Sequence, residues 1–277
     1  MFFYNVSTRA GGSGKLEASG DYAHLKSFPA GQFGTWGEIV SPGSGRLFFY
    51  NSNGGSALAG SGRLDATGNY VNLKDFPAGQ FGQWTDIVPL DDGRLFFYNS
   101  NTRAAGSGQL DASGDYAHLK SFPAGQFGTW ETIVSPGSGR LFFYNSNGGS
   151  ALAGSGRLDA TGNYVNLKDF PAGQFGQWTD IVPLDDGRLF FYNSNTRAAG
   201  SGQLDASGDY AHLKSFPAGQ FGTWGEIVSP GSGRLFFYNS NGGSAVAGSG
   251  QLDATGNYVN LKDFPAGQFG QWTSVVG

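Results

Sequence analysis

Six tryptophans, Trp36, Trp84, Trp130, Trp178, Trp224 and Trp272, follow one another at separations of alternately 48 and 46 residues, each set in nearly the same text. A self-similar period in the mid-forties is the length of a four-stranded propeller blade. The unit from Trp84 to Trp130 reads "WTDIVPLDDGRLFFYNSNTRAAGSGQLDASGDYAHLKSFPAGQFGTW". The period therefore predicts an all-β chain, a six-bladed β-propeller with four antiparallel strands in each blade.

Within that unit, "WTDIV" from Trp84 to Val88 and "GRLFFYN" from Gly93 to Asn99 are aromatic and β-branched runs separated by the turn text "PLDDG", which reads as a hairpin. "GSGQLDA" supplies a third, weaker strand and "DYAHLKSF" a fourth, with a Gly-containing turn between them. Pro123 ends the fourth strand because it has no amide hydrogen to donate. The run "LFFY" is apolar on both faces, as in strands covered on both sides by neighbouring blades. The period of two then sends Phe48 and Tyr50 to one neighbour and Leu47 and Phe49 to the other. Each large ring buried this way contributes roughly 1.5–3 kcal/mol.

The chain opens in mid-unit at "MFFYN" and ends on the first strand of a unit, "GQWTSVVG". Pairing of Trp272–Val276 with Phe2–Asn5 would complete one blade, close the ring and remove an aggregation-prone edge. Two blade types alternate, carrying "DYAHLKSF" or "NYVNLKDF", so the larger repeat is the 94-residue step from Trp36 to Trp130 to Trp224. The expectation is a single domain over residues 1–277, made of three two-blade copies and monomeric as a closed ring.

Composition excludes several classes. Seventeen basic and 21 acidic residues give a net charge of −4, spread through the repeats; phosphate binding needs clustered Lys and Arg, so nucleic acid is not an expected partner. There is no Cys, which removes thiolate chemistry and Cys-ligated zinc. No apolar run approaches the ~18–20 residues that span a bilayer. Met1 is followed directly by strand text, with no leader pattern, which leaves cytoplasmic residence or export by a route not visible in this chain.

Strand connections in a blade alternate between two faces. The two longest loops, "NSNTRAAGSG" or "NSNGGSALAGSG" and "FPAGQFGTW" or "FPAGQFGQW", are expected on the same face. Together they bring planar amides beside indole rings, the combination that receives a sugar's hydroxyls and its C–H face. The candidate sugar-binding residues are the six tryptophans, Asn53, Asn101, Asn147, Asn195 and Asn241, and Gln32, Gln80, Gln126, Gln174, Gln220 and Gln268. The competing reading makes each Trp a buried blade anchor and Asn51 or Asn99 a turn residue bonded to its own backbone.

Metal and catalytic readings find less. "DASGD" and "DATGN" place oxygens around a Gly but lack the remaining ligands of a calcium loop, and Asp91–Asp92 and Asp185–Asp186 fit ordinary turns. No metal and no cofactor are expected. His24, His118 and His212 recur identically in alternate blades, whereas a catalytic centre is normally one constellation of unlike residues; no catalytic residue is assigned and no enzymatic activity is expected.

The stretch "FGTWETIVSPGSGRLFFYN" from Phe127 to Asn145, with its five relatives, resembles the tachylectin-2 type of lectin propeller. In that family an aromatic turn precedes a strand ending in Ser-Pro with Gly and a Leu-aromatic strand. It is five-bladed, and its paired Gly before Trp is "FGT" or "FGQ" in this chain. The resemblance implies binding of glycans, including amino sugars, at blade junctions without a cofactor, with the contacts falling on Trp130 and its equivalents and on the loops around Asn101 and Gln126. Repeated weak sites gain avidity on a repetitive glycan surface. The alternative is a structural or protein-interaction scaffold; the near-verbatim repeats also fit recent duplication or construction from a consensus.

Overall fold

In a computed structural model of the chain the described residues are 1–52, 55–184, 186–240 and 244–277. Among them are 24 strands in six antiparallel sheets of four, the six-bladed β-propeller class that the repeat predicts. Five blades are continuous in sequence: blade 1 spans 38–76, blade 2 86–122, blade 3 132–170, blade 4 180–216 and blade 5 226–264. Blade 6 combines Ser274–Val276 with Phe2–Asn5, Ala10–Leu16 and Tyr22–Phe28.

Blade 2 shows how the text folds. Its strands are Asp86–Pro89, Arg94–Asn99, Ala104–Leu110 and Tyr116–Phe122. The first strand starts two residues later than the expected Trp84. The Trp84 amide donates instead to the Tyr50 hydroxyl of blade 1 at 2.8 Å, which draws the backbone off the sheet until Thr85 N reaches Tyr98 O at 2.8 Å. Between the third and fourth strands the register slips at Ser107/Gly108. This bulge recurs in all six blades, and in blade 2 the ring of Tyr116 fills the space where a side chain on Gly108 would stand.

The chain divides into two compact units, Thr35–Phe175 with blades 1–3, and Met1–Gly34 plus Gly176–Gly277 with blades 4–6. In the first unit Phe48 and Tyr50 pack with Leu95 and Phe97 of blade 2. Phe96 and Tyr98 in turn pack with Leu141 and Phe143 of blade 3, so the period-two assignment of faces holds. The Phe48–Phe97 and Phe96–Phe143 rings meet edge to face, with centroids 5.9 and 6.2 Å apart, the arrangement the ring quadrupole favours. The second unit repeats the contact between Phe190 and Phe237 and between Phe3 and Phe236.

Within each unit, arginines that open the second strand of a blade latch it to the following blade. Arg94 donates from Nη1 to Leu158 O of blade 3 at 2.7 Å, Arg46 to Leu110 O of blade 2 at 2.7 Å, and Arg188 to Leu252 O of blade 5 at 2.6 Å. Arg234 makes the same bond to Leu16 O of blade 6. In blade 6 the terminal strands pair as expected, with Phe2, Phe3 and Tyr4 opposite Val276, Val275 and Ser274. Trp272 again precedes the strand, and Thr273 N donates to Tyr4 O at 2.8 Å. Among the described residues no helix is long and apolar enough to cross a membrane.

Candidate functional site

The two long loops do share a face and are bonded to one another. In blade 2 Gly125 N donates to Thr102 O at 3.0 Å and Phe127 N to Arg103 O at 3.3 Å. Buried Phe127 anchors the second loop, and the Tyr98 hydroxyl then fixes its far end, donating to Gly128 O at 2.7 Å and accepting from Trp130 N at 3.2 Å. Tyr50, Tyr192 and Tyr238 clamp Gly82, Gly222 and Gly270 in the same way at 2.7 Å. A second clamp comes from the asparagine that ends each "FFYN" strand. Asn145 Nδ2 donates to Thr129 O at 2.7 Å, and Asn51 to Thr35 O at 2.7 Å. Asn99 bonds Gln83 O while its Oδ1 accepts from Asn101 N and Thr102 N. Asn99 is thus bonded within its own turn, and each of these asparagines holds the carbonyl of the residue before a Trp.

Every Trp is consequently held half-buried. The Trp130 ring rests on Phe143 with centroids 5.5 Å apart, and Trp84 on Phe97 at 5.7 Å. Gln32, Gln80, Gln126, Gln174, Gln220 and Gln268 are exposed on the loops, as are Asn101, Asn147 and Asn195; Asn53 and Asn241, and with them Asp185, lie outside the described residues. The Asp-Gly turns behave as hairpins: Asp111 Oδ1 accepts from Ser113 N, Ser113 Oγ and Asp115 N.

Between blades 2 and 3 there is a cavity of about 480 Å³ whose wall includes Trp130, Tyr98, Asp86, Glu131, Thr85 and Ser100. It contains one of the predicted residues, Trp130; Asn101 and Gln126 are not in its wall. The carboxylates are the part that sequence reading missed. Asp86 holds the first position of an otherwise apolar strand, as Glu38, Asp180 and Glu226 do in blades 1, 4 and 5, and Glu131 stands one residue before the corresponding strand of blade 3; a charge opening an "IV" strand was the signal available. Glu38 Oε1 accepts from Ile87 N of the next blade at 2.9 Å, and Glu226 Oε1 from Val275 N at 2.8 Å.

Burial, reinforced by Asp86, pushes the Glu38 carboxyl up to about 8, and burial with a contribution from Asp180 pushes Glu226 up to about 7. Burial raises Asp86 and Asp180 to about 6. A carboxyl whose folded pKa is raised stabilises the fold most below its unfolded pKa, and that contribution is lost as pH rises through the folded value. Stability should thus fall progressively as pH rises from about 4, the unfolded carboxylate range, to about 8. Glu38→Gln together with Glu226→Gln should flatten much of that slope in urea titrations run at several pH values; an unchanged slope would show that these groups ionise freely.

No known family profile matches the sequence, and no curated protein sequence matches it. Solved structures do match in shape. A protein from Lactobacillus plantarum is 12% identical with a TM-score of 0.55, covering 96% of this chain and 95% of its own. A functionally unknown protein from Desulfotomaculum acetoxidans is 11% identical with a TM-score of 0.59, covering 96% and 80%. The periplasmic gluconolactonase of Pseudomonas aeruginosa is 16% identical with a TM-score of 0.54, covering 98% and 96%. Likeness at such identity shows the fold.

Proposed function

We propose that the chain is a multivalent, non-catalytic carbohydrate-binding protein, acting as one domain over residues 1–277, with sites at the blade junctions beneath the paired loops. The observation that carries this reading is the cavity between blades 2 and 3, which joins an indole wall to hydroxyl and carboxylate groups. Its volume lies within the ~300–1,000 Å³ of ligand pockets. Because the Trp clamp recurs, the same reading assigns a sugar-facing role to all six tryptophans, with the exposed Gln and Asn of the loops beside them. The resemblance to tachylectin-2-type propellers points the same way.

Trp130→Phe is expected to weaken one class of site about tenfold and leave the thermal midpoint within a few degrees, since a ring still covers Phe143. A glycan array followed by calorimetric titration checks this. The fold likeness to a gluconolactonase supplies a second reading, hydrolysis of a sugar lactone, so gluconolactone should be incubated with the protein in parallel. Turnover of the lactone would favour that second reading. Absence of binding to any glycan would favour a scaffold role.

A further inference from the structure

Residues 36–129 and 130–223 are the same text except at two positions, where Gly37–Glu38 becomes Glu131–Thr132. Both altered residues lie in the wall of the cavity between blades 2 and 3. In blades 1 and 5 the Gly–Glu pair turns its carboxylate onto the next blade's inner strand, at Ile87 N and Val275 N. In blade 3 a threonine holds that inner position, and the carboxylate moves one residue toward Trp130. There Glu131 Oε2 accepts from Ser146 N at 2.9 Å and Ser146 Oγ at 2.7 Å, which fixes the group at the cavity while Oε1 keeps acceptor capacity.

Asp86 stands in the same wall, so two carboxylates border the space and no Lys, Arg or His does. Arg103 is close enough to influence the Tyr98 hydroxyl but lies outside the wall. The remaining wall offers hydroxyls on Thr85, Ser100 and Thr132 and the aromatic groups of Trp130 and Tyr98. Carboxylates with an aromatic neighbour attract an ammonium group, and the hydroxyls suit a hydroxylated body.

We propose that the junction of blades 2 and 3 is specialised for a sugar carrying a free, protonated primary amine, held between Asp86 and Glu131. This rests on the carbohydrate-binding reading and narrows it at one junction. Asp86 carries the pH dependence: burial raises its carboxyl to about 6, and its charge is felt by Glu38 and Tyr98. Its protonation on acidification would remove half of the negative wall.

The test is calorimetric titration with glucosamine, N-acetylglucosamine, glucose and ethanolamine. It compares the native chain with the Glu131→Gly, Thr132→Glu double variant, which restores the blade 1 text and is expected to fold. Glucosamine should bind the native chain at least tenfold more tightly than glucose or N-acetylglucosamine, weaken as pH is lowered from 7 to 5, and lose about tenfold in the variant. Equal affinity for the three sugars, no binding of glucosamine, or an unaltered variant would overturn the proposal; ethanolamine binding as tightly as glucosamine would overturn its sugar component. Glucosamine binding at this junction, with no neutral sugar bound anywhere, would leave the proposal standing and defeat the multivalent reading.

Discussion

Replacing Arg94 by Met is expected to lower the unfolding free energy by about 2–4 kcal/mol. The guanidinium is nearly inaccessible, its side chain 8% exposed, and it donates to Leu158 O and Asp159 O of the following blade. Truncation leaves those carbonyls facing a buried apolar chain, and an unmade buried hydrogen bond costs the full desolvation of the orphaned group. Its ion pair with Asp92, at 2.7 Å, contributes less because that carboxylate is 53% exposed. Asp92→Asn should therefore cost no more than about 1 kcal/mol. Urea unfolding of both variants separates the two effects; equal losses would mean that the ion pair and not the interblade latch matters.

Gly108→Ala should be almost as damaging, at about 3 kcal/mol. A Cβ at this bulge would sit 2.2 Å from Cε2 and Oη of Tyr116. The ring cannot swing aside, because it is packed against Phe81 at 4.7 Å and Phe97 at 5.9 Å. Gly79→Ala supplies the contrast: nothing lies within 4 Å of a Cβ there, and only the φ of +82° opposes it, for about 1–2 kcal/mol. Thermal unfolding that ranks the two substitutions the other way round would contradict the packing described for the bulge.

The repeat made most of the fold legible. The spacing of the tryptophans gave the blade count, the two-sided "LFFY" run located the interblade core, and the matching chain ends foretold the pairing of Ser274–Val276 with Phe2–Tyr4. What stayed hidden acts between blades, where sequence spacing carries no information on distance. Arg94 reads as one charge in a turn, yet its carbonyl partner lies 64 residues away. Tyr98 reads as one more ring in the core, whereas its hydroxyl fixes the loop that presents Trp130. Asn101 and Gln126 were expected at the cavity because they share a face with Trp130. The wall is instead built from positions nearer the inner strands, Asp86, Glu131 and Thr132. Only a comparison of one repeat with the next singles out the last two.

The account turns on the tryptophan junctions receiving sugar, and their six indole N–H groups give separate reporters in a proton–nitrogen spectrum. Titration with the glycans selected on an array should move several indole signals in a saturable manner, Trp130 among them, while buried core amides stay in place. Indole signals that remain fixed at millimolar concentrations of every glycan, in a protein that is otherwise folded, would contradict it.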